Sequence, residues 1–473
     1  MRGVALAVGI VAVGAGALAM SCGAPSEVTG ASKPSPLGDA STEADTRDAF
    51  HARRIACEFD AGALTQDTVG PDIPDLSKLE HVVVVMLENR SFDHLLSELD
   101  GLDPEDKPAS DASEPALDGR PVHRYAESAF CPGPAELPAH EWSDVHLQLA
   151  GGRMDGFVAT SDCRAMGYYG KKQLPVMYRL AEEGAVSARY FSSLLGPTWP
   201  NRFFLFTGTS CGLAEGFDSN TRTTTVCGVG AKSWFNHLDG VEVFDESSVA
   251  AVTVGSGLFL GVPSSIGDFE QRAGAGTLPK ISFVGGSTGT DIPFFWTAPT
   301  EDDGHPPSDI RRTEGFLYRI ATAVMKGPKW PSTALFITYD EHGGYYDHVK
   351  PPAACPPEGG PSWAQCPPDG IVPHDGGTPV RDYGFCQYGF RVPLIVLSPY
   401  ARRGYVSHID ADHTSILRFL EHWQHKGALT ARDANAWPLF DLFDFTQPPR
   451  LPFSIDPPPD PGACDTGVKP TCP

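Results

Sequence analysis

Two short apolar runs, each followed closely by acidic or amide side chains, constrain the fold of this chain most strongly. One run is His81–Leu87 (HVVVVML) and the other is Ala334–Ile337 (ALFI). Runs of β-branched and aromatic residues of this length are typical of strands buried on both faces of a sheet. The polar residues that follow the two runs are Glu88, Asn89, Asp340 and Glu341.

Two further runs extend this pattern into a fold prediction. They are Ile281–Val284 and Pro393–Leu397, the second of which ends in Ser398. Long connections separate the runs, and one of them contains an amphipathic helical pattern from Ile310 onward; another such pattern begins at His413, after the last run. Such alternation predicts an α/β fold with a mostly parallel central sheet and helices on both faces.

The acidic residues predict a metal site at one edge of that sheet. In open α/β sheets, ligands bind outside the carboxyl ends of the strands. The adjacent carboxylates of Asp340 and Glu341 repel each other when both are ionised, and a divalent cation with hard oxygen ligands removes that cost. A solvated turn with Gly343 as its bend is the simpler interpretation of one such pair. Since the pattern recurs after Leu87, we expect two neighbouring strands that share one ion.

A second segment, Gly196–Arg202 (GPTWPNR), predicts a helix start. Thr198 is expected as its N-cap, with Pro200 in the first turn. A helix N-terminus attracts anions such as phosphate. The Thr198 hydroxyl is then either a simple cap or, beside a metal ion, a nucleophile toward phosphorus.

Composition and the N-terminal sequence indicate an exported, acidic protein. The 473 residues carry a formal charge of −23, which argues against nucleic acid as a partner. Residues 1–21 are predicted to be a signal peptide, either of the lipoprotein type with a lipidated Cys22 that tethers the protein to a membrane, or of the ordinary secreted type. Residues 22–75 are predicted to be a disordered leader, 76–450 one domain, and 451–473 a Pro-rich tail.

Cysteine usage supports export. The chain has 11 cysteines and no Cys-x-x-Cys, so disulfides are expected and a structural zinc site is not. Closeness in sequence favours three local bridges, while the other pairings stay open. The three are Cys211–Cys227, Cys355–Cys366 and Cys464–Cys472.

Three ordered motifs resemble those of the bacterial phosphoesterase family that contains phospholipases C and a secreted acid phosphatase. The motifs are ENRSFDH at 88–94, GPTWPNR at 196–202 and YDEHGGYYDH at 339–348. The resemblance implies a core fold similar to that of alkaline phosphatases and sulfatases. It also implies hydrolysis of phosphate esters, either phosphomonoesters or phospholipids, through a phosphothreonine intermediate at Thr198. Residues 220–261 match the family poorly, so the choice of substrate stays open.

The resemblance also implies roles for individual residues. One divalent metal ion of unknown identity would be held by Glu88, Asn89, Thr198, Asp340 and Glu341. Imidazoles at His140, His305 and His348 would act on the phosphate, and His342 would line the site.

Two other hypotheses about function remain open from the sequence. One is a non-catalytic surface lipoprotein or binding module on the same fold. The other is a sulfatase, because the segment from Thr198 to Arg202 has the spacing of the sulfatase Cys/Ser-x-Pro-x-Arg motif. Sulfatase chemistry needs a formylglycine made from Cys or Ser, which threonine cannot supply. The oligomeric state is not readable from the sequence.

Overall fold

The computed structural model describes eight stretches of the chain: residues 40–70, 73–130, 138–214, 232–245, 263–286, 301–306, 308–358 and 385–462. The chain divides into two compact units, Met1–Glu43 and Ala44–Pro473. Apart from the first residues of one helix, the elements below belong to the second unit. Among the described residues, no helix combines the length and the apolar character needed to cross a membrane.

The regular elements are as follows. The strands of the central sheet are β1 His81–Leu87, β2 Ala185–Ser187, β3 Val241–Phe244, β4 Ile281–Gly285, β5 Thr333–Tyr339, β6 Leu394–Leu397 and β7 Tyr405–Ser407. The α-helices are α1 Ala40–Ile55, α2 Thr65–Val69, α3 Phe92–Leu95, α4 Trp142–Leu149, α5 Phe157–Ser161, α6 Pro175–Glu183, α7 Thr198–Thr207, α8 Trp234–His237, α9 Ile266–Ala275, α10 Ile310–Lys326, α11 His413–Trp423 and α12 Ala431–Ala434. Short 3-10 helices are Leu76–Lys78, Pro104–Asp106, Ala150–Gly152, Asp162–Met166, Trp330–Ser332 and Phe440–Leu442. Two-stranded ladders pair Ser113–Pro115 with Pro121–His123, Tyr125–Ala126 with Gly167–Tyr168, and Tyr190–Phe191 with Ala411–Asp412.

The central sheet is mostly parallel, as predicted. Its strand order within the described residues is β7-β2-β6-β5-β1-β4-β3. β1 lies between β4 and β5 and pairs in parallel with both. All seven residues of β1 and all seven of β5 are buried, so these two strands form the centre of the core.

Helices cover both faces of this sheet, which also agrees with the prediction. Phe283 of β4 and Phe336 of β5 lie in register on either side of Val84, so their side chains share one face. That face is covered by α7, through Phe206 against Phe283, and by α11, whose Phe419 contacts Phe336. On the opposite face, Phe244 of β3 packs against α9.

Both predicted helical patterns are confirmed. The pattern from Ile310 forms α10, which ends at Lys326 just before Gly327, and its N-cap Asp309 accepts a hydrogen bond from the backbone of Arg311. The pattern from His413 forms α11, where Asp412 and Ser415 make a capping box.

β6 is an antiparallel strand within this mostly parallel sheet. β6 runs antiparallel to both of its neighbours, β5 and β2. Ser398, which follows β6, therefore bonds the carbonyl of Thr333 at the start of β5, and not the edge where Glu88 and Asp340 lie. A strand covered on both faces is apolar whichever way it runs, so its composition does not reveal its direction.

Some of the described residues before the predicted domain start at 76 are packed on the domain. The guanidinium of Arg54 is buried and lies 5.1 Å from the ring centroid of Trp437. The backbone N–H of Phe59 donates to Asn435 Oδ1 at 3.2 Å. Individual hydrogen bonds and a disulfide hold this stretch, and a composition poor in apolar residues gives no sign of such links.

The disulfide joins Cys57 to Cys355, with Cα atoms 5.5 Å apart and 298 residues apart in sequence. The predicted pairing of Cys355 with Cys366 is therefore wrong, because proximity in sequence does not report proximity in the fold. Disulfides persist in oxidising compartments, so this bond supports the prediction of export.

The other cysteine predictions remain predictions. Cys211, Cys163 and Cys386 are also disulfide-bonded. The predicted partner Cys227 lies outside the described residues, as do Cys464 and Cys472 and the whole signal segment with Cys22.

Replacing Cys57 and Cys355 together by serine should lower the free energy of unfolding by about 2–5 kcal/mol, because the link restricts a very long loop in the unfolded chain. Urea denaturation of the oxidised wild type and of the double variant measures the difference. Peptide mapping without reductant provides the control. Recovery of a peptide that links Cys355 to Cys366 would contradict the structure.

Candidate functional site

The register of the two central strands brings the predicted acidic residues together. Leu87 pairs with Tyr339, so Glu88 and Asp340 leave the same edge of the sheet side by side. The backbone N–H of Asn89 donates to Asp340 Oδ1 at 3.1 Å. The expectation that these two strands are neighbours is confirmed.

Arg202 compensates these buried carboxylates and was not among the predicted site residues. Its Nη2 donates to Glu88 Oε1 at 2.8 Å and its Nε donates to Asp340 Oδ2 at 3.1 Å. It lies four residues after Thr198 in α7, so both side chains occupy the same face of the helix. That spacing in GPTWPNR is the sequence signal that could have identified it.

The pKa of Asp340 reflects the burial and the negative charge of this cluster. Burial raises the pKa of Asp340 to about 7, and although Arg202 opposes the shift, the carboxylates of Glu88 and Glu341 add to it. One guanidinium is thus not enough to keep all of these groups ionised at neutral pH.

Thr198 belongs to a hydrogen-bonded chain and is not a cap. It is the first residue of α7, and the N-cap is Pro197, which makes no side-chain cap bond. Thr198 Oγ1 donates to Asn89 Oδ1 at 3.2 Å, and Asn89 Nδ2 lies 3.2 Å from His140 Nε2. His140 Nδ1 lies 2.9 Å from the Pro138 carbonyl, which can only accept, so this nitrogen carries the proton. Because the Thr198 hydroxyl donates to Asn89 and makes no capping bond, its oxygen can still form a bond to another group at the helix N-terminus.

The buried imidazole of His305 lies beside that of His140, with ring centroids 6.0 Å apart. The loop that carries it is fixed to the site, because Glu88 N–H donates to the Asp303 carbonyl at 2.9 Å and His305 N–H donates to Asp303 Oδ1 at 2.9 Å. Burial lowers the pKa of His305. Burial acts the same way on His140, but the Glu341 carboxylate, the Pro138 carbonyl and the carboxylates of Glu141 and Asp340 together outweigh it, so the pKa of His140 is raised.

His342 and His413 hold the acidic residues Glu341 and Asp340 in position. His342 Nδ1 lies 3.1 Å from Glu341 Oε2, and its Nε2 lies 2.7 Å from Gln148 Oε1, so the ring orients Glu341. His413 Nε2 lies 2.7 Å from the Asp340 carbonyl, so this ring fixes the backbone of the residue that carries the carboxylate. Burial lowers the pKa of His413 to about 4, which keeps this ring neutral.

His348 lies in a different cluster, contrary to its predicted role at the phosphate. Its Nδ1 is 2.6 Å from Asp93 Oδ2 and its Nε2 is 3.0 Å from the Glu105 carbonyl. Arg391 binds Asp93 and Asp347 in the same cluster, each at 2.8 Å. Spacing from Asp340 alone could not show that His348 would pair with Asp93 and Arg391.

The side chains around Thr198 fit a divalent cation. Two buried carboxylate oxygens there, Glu341 Oε1 and Asp303 Oδ2, have no hydrogen-bond partner among the described residues. An unsatisfied buried acceptor costs on the order of 1–3 kcal/mol, and more when it is charged. Together with Glu88, Asn89 and Asp340, these oxygens form the hard donor set that such an ion prefers.

Comparison with known proteins relates the chain to phosphoesterases. A model of the Phosphoesterase family matches residues 79–244 and 260–425. The chain is 30% identical over 359 residues to non-specific phospholipase C1 of Arabidopsis thaliana, a match that covers 70% of this chain and 62% of the plant protein. It is 31% identical over 439 residues to phospholipase C B of Mycobacterium tuberculosis, a match that covers 80% of each. The chain thus spans less than two thirds of the plant relative.

A solved structure of a protein in the alkaline phosphatase superfamily from Vibrio parahaemolyticus matches with 10% identity and a TM-score of 0.36, and the match covers 84% of this chain and 78% of that one.

Replacing Arg202 by methionine should lower the free energy of unfolding by about 3–5 kcal/mol in chelator-containing buffer, because Glu88 and Asp340 lose their buried partner. Urea denaturation monitored by fluorescence measures the loss. Arg153→Met is the matched control, since Arg153 pairs with Asp155 on the surface, with side chains 70% and 40% exposed. That variant should lose no more than about 1 kcal/mol. Equal small losses in both variants would show that the buried pairs contribute little.

Proposed function

The chain belongs to the Phosphoesterase family, and on that basis we propose that it is a metal-dependent phosphoesterase that attacks phosphate esters with the hydroxyl of Thr198. The observation that carries the proposal is the position of this hydroxyl. It lies at the start of α7 without a capping role and is bonded to Asn89 at 3.2 Å, next to the acidic cluster.

We assign the binding of one divalent cation to Glu88, Asn89, Thr198, Asp340 and Glu341. Asp303 is a further oxygen donor at the same place, because its Oδ2 is buried with no hydrogen-bond partner in the described part of the chain. The ion, when bound, would lower the pKa of the Thr198 hydroxyl and offset the charge of the phosphoryl oxygens.

The remaining chemistry falls to side chains of this protein. Thr198 Oγ1 gives its proton to water and bonds to phosphorus as the ester P–O bond breaks, and the leaving oxygen takes a proton from the His140–His305 pair. The N-terminus of α7 presents backbone N–H groups to the phosphoryl oxygens. A second water then adds to phosphorus and gives one proton to the imidazole pair, while Thr198 Oγ1 leaves phosphorus and takes a proton back from solvent.

The substrate class that we favour is the phospholipid headgroup ester. The two curated relatives described above are both named phospholipases C, and they match most of the domain. A panel of an aryl phosphate, an aryl phosphocholine and phosphatidylcholine vesicles, each with and without chelator, separates phosphomonoester from phosphodiester hydrolysis. Turnover that survives exhaustive metal removal would refute the role of the cation.

Thr198→Ala should lower kcat by thousands-fold or more on the best substrate of that panel, because it removes the nucleophile from an otherwise complete site. Thr198→Ser is the matched control, and it should retain far more activity since it keeps a hydroxyl at the same place. Thermal unfolding should be nearly unchanged in both variants. Turnover of Thr198→Ala within a few-fold of wild type would refute the covalent mechanism.

The histidines should separate into two functional groups. His140→Gln and His305→Gln should each lower kcat about 100-fold or more, because each removes a proton-transfer group. His348→Gln should lower kcat less than about ten-fold but reduce thermal stability, because His348 binds Asp93 and not the site. Steady-state kinetics and calorimetry on the three variants measure both effects. An equal loss of kcat in His348→Gln would place it in the catalytic machinery.

A further inference from the structure

We propose that Asp103, Asp106 and His408 form a second cation site, separate from the residues around Thr198, that binds a divalent transition-metal ion. This acid–histidine cluster joins the 3-10 helix Pro104–Asp106 to the residue that follows β7. The proposal is independent of the proposed hydrolysis, since it shares no residue with that site.

The ligand atoms of the cluster already converge. One carboxylate oxygen from each aspartate and one imidazole nitrogen lie within 4.8 Å of one another. His408 Nδ1 is 3.1 Å from Asp106 Oδ2, and His408 Nε2 is 3.4 Å from Asp103 Oδ2. The ring thus lies between the two carboxylates.

Asp106 provides the second, independent observation. Asp106 is 2% exposed, and its Oδ2 makes no hydrogen bond of good geometry among the described residues, since the ring nitrogen 3.1 Å away, His408 Nδ1, contacts it only as an ion pair. This oxygen points into the cluster, toward His408. A carboxylate oxygen buried in this way is costly unless a cation or a donor satisfies it, and a bound metal ion satisfies it directly.

The chemistry of the donors selects the class of ion. Imidazole with carboxylates suits zinc or manganese, whereas calcium prefers oxygen donors alone. Only one nitrogen of a ring can bind a given ion, and the other then donates its proton to a carboxylate, as is usual for histidine ligands. His408 has a carboxylate beside each nitrogen, so one aspartate would bind the ion together with the ring, and the other would accept the proton of the second nitrogen and orient the ring.

The surroundings leave room to complete the coordination shell. Asp106 and His408 line a cavity of about 560 Å³, whose open side can supply water ligands. Asp410 lines the same cavity, but Arg189 already binds it at 2.7 Å, so it is not counted as a ligand.

The expected consequence is local stabilisation. The carbonyl of Glu105 lies 3.0 Å from His348 Nε2, and the carbonyl of Asp106 accepts from Arg391 at 3.4 Å. An ion that links the 3-10 helix to His408 would therefore also hold in place the two backbone carbonyls that contact His348 and Arg391.

Calorimetric titration of the chelator-treated full chain with Zn²⁺ at pH 7.5 tests the proposal. Wild type should bind one equivalent more than His408→Gln, and Zn²⁺ should raise the melting temperature of wild type more than that of the variant. Calcium should not replace zinc. Glu341→Gln distinguishes Zn²⁺ binding at the two sites. It alters the site near Thr198, so it should still bind the equivalent of Zn²⁺ that we assign to Asp103, Asp106 and His408.

His123→Gln is the matched control, since His123 is also exposed but lies outside the cluster. It should bind as many equivalents as wild type. Asp103→Asn, at a side chain 58% exposed, gives a second variant of the cluster that does not alter a buried group. Equal Zn²⁺ stoichiometry in wild type, His408→Gln and Asp103→Asn would overturn the proposal and leave His408 as an ion-pair bridge.

Discussion

The in-register pairing of β1 with β5 is the constraint on which the site depends. Because Leu87 faces Tyr339, the residues that follow both strands leave the sheet at the same level. A slip of one residue would reverse the faces of the buried side chains, and both strands are apolar on both faces. The register is therefore held less by face polarity than by the links beyond the strand ends, such as Asn89 N–H to Asp340.

Charge balance around that pairing explains why the site calls for a cation. The carboxylates of Glu88, Asp303, Asp340 and Glu341 are each at most 9% exposed. The guanidinium of Arg202 binds two of them, and burial together with Glu88 still raises the pKa of Asp303 well above its ordinary range. Protonation or a bound cation can supply the missing positive charge. In the proposed mechanism the cation would also activate the Thr198 hydroxyl, which protonation of the acids would not do.

The sequence predicted what local patterns determine and missed what only the fold determines. Apolar runs identified β1, β4 and β5, and helical periodicity identified α10 and α11, because burial of one face or two is visible in composition. Motif spacing grouped Thr198 with the acids after β1 and β5.

The misses arise where partners are distant in sequence. Arg202 looks like an ordinary helix residue until α7 is placed against the strand ends. Asp303 lies in a polar loop, where an acid gives no signal by itself. His348 follows Asp340 closely, yet its partners are Asp93 and Arg391. The partner of Cys355 is 298 residues away.

The turn after β5 shows how two such distant segments fix each other. Sequence alone makes Gly343 a simple bend. In the structure it has φ of +66°, and a Cβ there would lie 2.2 Å from the Asn89 carbonyl oxygen. Asn89 itself has φ of +62°, a conformation that costs a non-glycine residue energy. The absence of a side chain at Gly343 thus leaves room for the Asn89 backbone. The conformation of that backbone directs the side-chain amide of Asn89 toward both Thr198 and His140. The positioning of the hydroxyl therefore depends on a residue with no side chain, which lies in the turn after β5, whereas Asn89 follows β1.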